Sequence, residues 1–305
     1  RRKIMSAERS QLDTAVLLIT YRRLETTRKV FEQIRKVKPK KLYISSNMGR
    51  TQEEIDQVIA VRTYLEDNID WECQLNKLFR AEYLSAKYSI SGAIDWFFDN
   101  EPMGIILEDD CLPNLSFFGF CDQLLNKYEH DIRVGQITGN NFQNGIQRGS
   151  GDYYFSIHSH IWGWATWRDR WKNYDVLLDN IDGVSFLLDC FSDIKERKVW
   201  ENLFYLMKND PIDTWDYQWS FCLWNNKMLT LTPNVNLVKN IGFGSEATHT
   251  KVETEFSNLE AHDIVVKKYP IEVVQDYAAD EYLFKKTRPP NIFIRIFNKI
   301  YRKLI

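Results

Sequence analysis

The chain has 305 residues, with 40 Lys and Arg against 42 Asp and Glu, a net charge of -2 at pH 7. A composition that is 44% hydrophobic and 27% charged is that of a globular protein and excludes a disordered chain, a collagen or a coiled coil. The near-neutral balance lacks the basic footprint of a nucleic-acid binder, so no nucleic-acid partner is expected.

Residues 1–12 form an N-terminal extension; RRKIMSAERS has no apolar core, so no signal peptide is expected. TAVLLIT (14–20) is a short β-branched apolar run and predicts a buried strand. From Thr26 to Lys38 an apolar stripe of Val30, Ile34 and Val37 predicts a helix that Pro39 stops. KLYISSN (41–47) predicts a second strand, residues 52–67 an amphipathic helix, ECQLNKLF (72–79) a third strand and residues 85–99 another helix. MGIIL (103–107) predicts a fourth strand and LSFFGFCDQLLNKY (115–128) the helix after it. This alternation predicts a mostly parallel central sheet flanked by helices, an α/β fold.

Beyond residue 130 the pattern becomes mixed. RVGQITG (133–139) and DYYFSI (152–157) read as strands, followed by a Trp-rich stretch, helices near 192–208 and 213–225, and strands at 227–233 and 235–241. No repeat or low-complexity linker divides the chain. The reading is one domain over 13–250 in two halves, 13–130 and 131–250, with an extension at 251–288. Residues 285–305 hold seven Lys and Arg and no Asp or Glu, leaving 33 basic against 42 acidic residues elsewhere. Within 289–305, Phe293, Ile296, Phe297, Ile300 and Leu304 recur at helical spacing, which predicts a basic amphipathic helix that lies on a membrane surface. A terminal helix docked on the body would show the same pattern. No apolar run approaches the roughly 20 residues of a spanning helix. The five cysteines are scattered without a CxxC pair, which points to a reducing compartment. The expected location is therefore cytoplasmic, peripheral on the inner face of the cell membrane.

Four segments carry candidate chemistry. In GIILEDDCLP (104–113) an apolar strand ends in Glu108, Asp109 and Asp110. Adjacent carboxylates repel unless a cation sits among them, and oxygen ligands at a strand end select Mg²⁺ or Mn²⁺ shared with substrate phosphates. An exposed acidic turn would look the same. Walker A and GxGxxG patterns are absent, which argues against P-loop and Rossmann nucleotide binding; the first strand instead ends in Thr20-Tyr21-Arg22-Arg23. HSHIWGWATWRDRW (158–171) sets four Trp around Gly163, either as core or as a wall that stacks on sugar rings. In DPIDTWDYQWSFCLW (210–224) Asp213 is placed to cap a helix, with Trp215, Trp219 and Cys222 on one face and Asp216 in the first turn. Asp216 is either a proton acceptor tuned by aromatic neighbours or a charge serving the helix dipole. In NIGFGSEATHT (240–250) two glycines make a backbone able to close over phosphate, and His249 is either a metal or diphosphate ligand or a structural histidine.

Together VLLITYRR, GIILEDDCLP, FFGFCDQLL, ITGNNF, HIWGWATW, TWDYQW and GSEATHT resemble bacterial GT-A-fold glycosyltransferases that use nucleotide-diphospho-sugars, with a distant similarity to the β-1,2-N-acetylglucosaminyltransferase I group. The resemblance covers roughly residues 13–250. It implies a GT-A type sheet with a mixed, Trp-rich acceptor half, and a metal-dependent inverting hexosyl- or N-acetylhexosaminyltransferase. The donor would be a nucleotide-diphosphate sugar, UDP-sugar favoured, and the acceptor a glycan or lipid-linked hydroxyl in surface polysaccharide synthesis. By the same resemblance Asp110 is the metal ligand for Mn²⁺ or Mg²⁺, and Glu108 and Asp109 support it. Asp216 is the catalytic base, His249 holds diphosphate, and Arg22 lies near the nucleotide. Thr20, Asn47, Arg80 and Trp164 complete the expected donor contacts. Two departures stand out: Ser46-Asn47 ends the second strand where related sequences carry an Asp, and Glu82-Tyr83-Leu84-Ser85 replaces an Asn-Leu-Gly type of turn. A metal-dependent phosphoryl or nucleotidyl transferase, and a non-catalytic membrane-attached glycan-binding protein, are the competing readings.

Overall fold

A computed structural model describes residues 11–209, 212–242 and 259–287. His249 and the basic segment 289–305 lie outside the described residues.

The first half alternates as its hydrophobic pattern requires: β1 (Val16–Thr20), α1 (Leu24–Val37), β2 (Lys41–Ser46), α2 (Gln52–Asp67), β3 (Gln74–Phe79), α3 (Ala86–Asn100) and β4 (Met103–Glu108). Local chemistry sets the helix ends. Thr51 accepts the Glu54 amide at the start of α2, and α1 closes on Lys38 in a left-handed conformation, φ 48°, one residue before Pro39. A short strand β5 (Cys111–Pro113) then leads to α4 (Leu115–Tyr128), whose N-cap Asn114 accepts the Ser116 amide.

The second half contains β6 (Val134–Thr138), β7 (Tyr153–Ser156), β8 (Trp164–Trp167), the one-turn helices α5 (Arg168–Trp171) and α6 (Leu187–Cys190), α7 (Ile194–Asn209), α8 (Asp216–Asn225), β9 (Leu229–Pro233), β10 (Val238–Asn240) and α9 (Tyr277–Thr287). Eight strands form one sheet in the order β3-β2-β1-β4-β8-β6-β9-β7, and β10 pairs with β5 outside it. From β3 to β4 all pairings are parallel. β8 is then antiparallel to both β4 and β6, β9 runs parallel to β6, and β7 is antiparallel to β9. The fold is α/β, a large central sheet flanked by helices, parallel in the half where strand and helix alternate.

Period-two alternation sends successive side chains to opposite faces of the sheet. Val16 and Leu18 of β1 join Ile105 and Leu107 of β4 in a core under α1, α2 and α4. Leu17 and Ile19 join Ile106 in a second core with α3, α7 and α8. β1 sits between β2 and β4, so the chain order reverses beside it. Ligands in open α/β sheets bind beyond the strands' carboxyl ends at such a switch point, and here Ile19 pairs with Glu108 at that edge.

Of the two readings left open for the Trp-rich stretch, core or binding wall, Trp164 takes the first. The stretch contains β8, and the Trp164 indole is fully buried, 5.7 Å from Trp215 and 6.0 Å from Trp219 between ring centroids. An enclosed indole has no face to offer a sugar ring, so the donor contact expected of Trp164 is corrected to core packing. Gly163 serves a turn: its φ is +74°, and an added Cβ would lie 2.8 Å from the Val238 side chain.

The segment 259–287, read from sequence as an extension without elements, is tied to the same body. His262 donates its amide to Asn236, Ile264 to the Ser116 hydroxyl, and Lys267 and Lys268 to the Asp152 carboxylate. Asp280 of α9 is buried and accepts the Ser156 hydroxyl and the Ile157 amide. The connection thereby covers the β7 edge of the sheet, a position that otherwise leaves backbone groups unpaired.

Candidate active site

The acidic triplet stands where β4 runs out beside β1. Asp109 is buried and accepts the Tyr21 amide on Oδ2 at 3.0 Å, while Arg23 donates Nη2 to its Oδ1 at 2.5 Å. The same Nη2 donates to Asp110 Oδ2 at 2.8 Å. Asp110 Oδ1 takes the Cys111 thiol at 3.4 Å, and its backbone oxygen accepts the Ile241 amide. Gly242 follows, held by a bond from its amide to Asn240 Oδ1. A Cβ at Gly242 would fall 2.1 Å from Asp110 Oδ2 and 2.8 Å from Arg23 Nη1. Only glycine lets the backbone approach the ion pair this closely.

Removal from water, and then the charges of Asp110, Asp109 and Asp216, push the Glu108 carboxyl well above the usual carboxylate range, with Arg23 opposing. Burial also raises Asp109, against the pull of Arg23 and the Tyr21 amide. Asp216, at the start of α8, is among the charges that contribute to the rise of Glu108. Asp216 is the first residue of α8, half-buried, and Thr214 donates its hydroxyl to Asp216 Oδ1. Trp215, Trp219 and Cys222 are buried behind it, on the shared face expected from their spacing.

Asp213 does not cap the helix it precedes. Its carboxylate accepts the amides of Ala86 at 3.1 Å and Lys87 at 2.8 Å, capping α3 from across the fold. The capping preference was legible; the helix it serves depends on tertiary contact.

Three other expected donor contacts have neighbours within the protein. Thr20 is buried and donates its hydroxyl to the Ser45 carbonyl. Asn47 is buried, donates to Leu84 O at 2.7 Å and accepts the amides of Met48 and Leu84, so it fastens the 82–85 turn. Arg22 leans on α2, with Nη1 3.5 Å from Gln57 Oε1 and 3.7 Å from Glu54 Oε1. Each of these three polar groups has a partner within the protein. Arg80 donates to Ser89 O at 3.3 Å, and its buried Nε has no hydrogen-bond partner. From the cationic pair after the first strand the sequence reading chose Arg22, whereas Arg23 is the arginine that meets the acids. Two adjacent arginines beyond a strand end are indistinguishable by pattern, since the alternation that orients side chains stops at Thr20.

Tyr21 and Glu54 frame the outer wall. Tyr21 donates its hydroxyl to Glu54 Oε2 at 2.9 Å, and Arg50 forks onto the same carboxylate. Those bonds, led by the Arg50 side chain, hold the Glu54 carboxyl down to about 2. Burial and Glu54 push the Tyr21 phenol up to about 12.

Among the described residues no three His, Cys, Asp or Glu side chains form a ready-made metal cage. The donor set nevertheless suits a hard divalent cation. Asp109 and Asp110 meet at one guanidinium, and Mg²⁺ or Mn²⁺ takes one or two protein carboxylates when phosphates supply further ligands. Among the described residues no helix is long and apolar enough to cross a membrane.

No protein-family model and no curated protein matches the chain. Among solved structures it is similar to a mannosyltransferase from Pyrobaculum calidifontis in complex with GDP-Man and Mn²⁺, at 14% identity and TM-score 0.36 over 57% of this chain and 48% of that one. It is likewise similar to S. aureus TarS, at 10% identity and TM-score 0.36 over 55% and 48%. A third is 4-diphosphocytidyl-2C-methyl-D-erythritol synthase from Anaerococcus prevotii, at 9% identity and TM-score 0.36 over 70% and 95%. The chain spans about half the length of the mannosyltransferase and of TarS.

Proposed function

We propose that this chain is a metal-dependent inverting glycosyltransferase. It moves a sugar from a nucleotide-diphosphate donor, UDP-sugar favoured, to a hydroxyl of a glycan or lipid-linked acceptor, in keeping with surface polysaccharide synthesis. One observation carries the reading: Glu108, Asp109 and Asp110 stand at the carboxyl end of β4 beside β1, where the strand order reverses, and Arg23 bonds to two of them. Asp216, the first residue of α8, is the separate carboxylate that the reading assigns to proton removal.

In this reading Asp110 holds Mn²⁺ or Mg²⁺, supported by Asp109, and the bound ion offsets the charge of the departing diphosphate. Glu108 stands beside it and faces the ribose or sugar of the donor. Asp216 is the base. Thr214 occupies its Oδ1 and fixes the carboxylate's orientation, leaving Oδ2 to take the proton of the acceptor hydroxyl. The acceptor oxygen then bonds to the anomeric carbon from the far side as the bond to diphosphate breaks. The electron pair leaves with the diphosphate, and configuration inverts without a covalent enzyme intermediate.

A thermal-shift panel of UDP-, GDP- and CMP-linked sugars with and without Mn²⁺ tests the reading. The expected result is stabilisation by donors of one base that depends on Mn²⁺, with release of free nucleoside diphosphate on turnover. Absence of any nucleotide- and metal-dependent shift refutes the proposal. A product that retains phosphate from the nucleotide points instead to phosphoryl or nucleotidyl transfer.

A further inference from the structure

We propose that Arg23 is a tethered stand-in for the divalent cation: it holds Asp109 and Asp110 in the donor-free protein and is exchanged for the metal, turning to the donor's diphosphate. The inference rests on the metal-dependent reading above and assigns a task to a residue that reading does not use.

Both bonds leave one nitrogen. Arg23 Nη2 lies 2.5 Å from Asp109 Oδ1 and 2.8 Å from Asp110 Oδ2. Arg23 sits on Asp110 Oδ2 and the Cys111 thiol faces Oδ1, so a metal drawn to that carboxylate meets the like charge of Arg23 and competes with it. Cys111 is fixed within β5 and buried, whereas the Arg23 side chain is 21% exposed at the mouth of the crevice. The arginine is therefore the partner able to move. Because a single nitrogen bridges both acids, one side-chain rotation frees both together.

The exchange is favourable in charge. Asp109 and Asp110 share one guanidinium, so a divalent ion in its place offsets more negative charge than Arg23 alone. The displaced guanidinium stays nearby on its backbone, and its planar fork suits the oxygens of a diphosphate. Gly242 packs against the same pair, with room only for hydrogen beside Asp110 and Arg23. Any movement of Arg23 is thus felt where the chain enters the Gly-rich segment.

The test measures Mn²⁺ binding to the full chain without donor, by electron paramagnetic resonance of free Mn²⁺, in the parent and in Arg23→Gln. UDP and GDP binding at saturating Mn²⁺ is measured in both. Removal of the competing cation is expected to tighten Mn²⁺ about tenfold, within the usual range of coupling between two binding events. Loss of the diphosphate partner is expected to weaken the nucleotide by about the same factor. Arg23→Lys keeps a cation that cannot fork, and is expected to fall between the two for Mn²⁺. It serves as the folded variant should Arg23→Gln not fold. Mn²⁺ affinity unchanged or weakened in both variants overturns the exchange while leaving metal dependence intact. A parent that binds neither Mn²⁺ nor nucleotide overturns the functional reading together with this inference.

Discussion

Two regions on either side of Asp216 treat buried polarity in opposite ways. At the β4 end, Asp109 and Asp110 share one guanidinium, and burial followed by the charges of the neighbouring acids raises Glu108. Behind α8, Trp164, Trp171, Trp215 and Trp219 pack ring on ring, with centroids 5.0 to 6.3 Å apart. There Gln136 bridges the block, accepting Trp219 Nε1 at 2.6 Å and donating to His160 O at 2.7 Å. Burial away from water pushes the His160 imidazole down to about 3, so it stays neutral. The first region meets its charge with the cation Arg23; the second packs ring on ring around a single polar bridge. Asp216 stands at the seam between them.

The sharpest way to break this contrast is Asp216→Asn. If the seam residue is the base, turnover falls by roughly 10²–10⁴-fold while donor binding is retained. Steady-state release of nucleoside diphosphate and a binding isotherm separate the two effects. Normal turnover in the variant removes Asp216 from the chemistry.

Next comes the aromatic block. Trp219→Ala empties a fully buried site and orphans Gln136 Oε1, and is expected to cost about 3–5 kcal/mol of unfolding free energy in a denaturant titration. A cost below about 1 kcal/mol, the size of an ordinary surface change, would mean that the block is not the support described here.

The smallest effect sharpens the comparison through pH. His160 has an ordinary value of 6.5 and is held near 3 in the folded protein. Between those values the unfolded chain takes up a proton that the folded chain refuses. Stability contributed by neutral His160 is therefore full above pH 6.5 and is lost as pH falls toward 3. His160→Gln is expected to flatten that part of the stability profile, measured by urea unfolding across the acid range. An unchanged slope would place the imidazole in water.

Much of this was legible from residue order. The helix over Leu115–Tyr128 and the one over Gln52–Asp67 match their periodicity to the residue, and the acids at the end of MGIIL stand at the edge where the strand order reverses. The pairing of Asp213 with α3 and the choice of Arg23 over Arg22 were not legible, since both depend on neighbours far along the chain. Trp164 was ambiguous for a different reason. An indole on a sugar wall and an indole in a core have the same local sequence, and only the sheet that covers it decides.

By itself the sequence determined the alternation of strand and helix and the concentration of carboxylates after β4, because hydrophobic period and adjacent charge are local properties. Tertiary structure alone decided which cation meets those carboxylates, which helix Asp213 caps, and that Asp216 shares their field. Each depends on distances between segments that the fold brings together, and hydrogen bonds and Coulomb forces follow separation in space rather than along the chain.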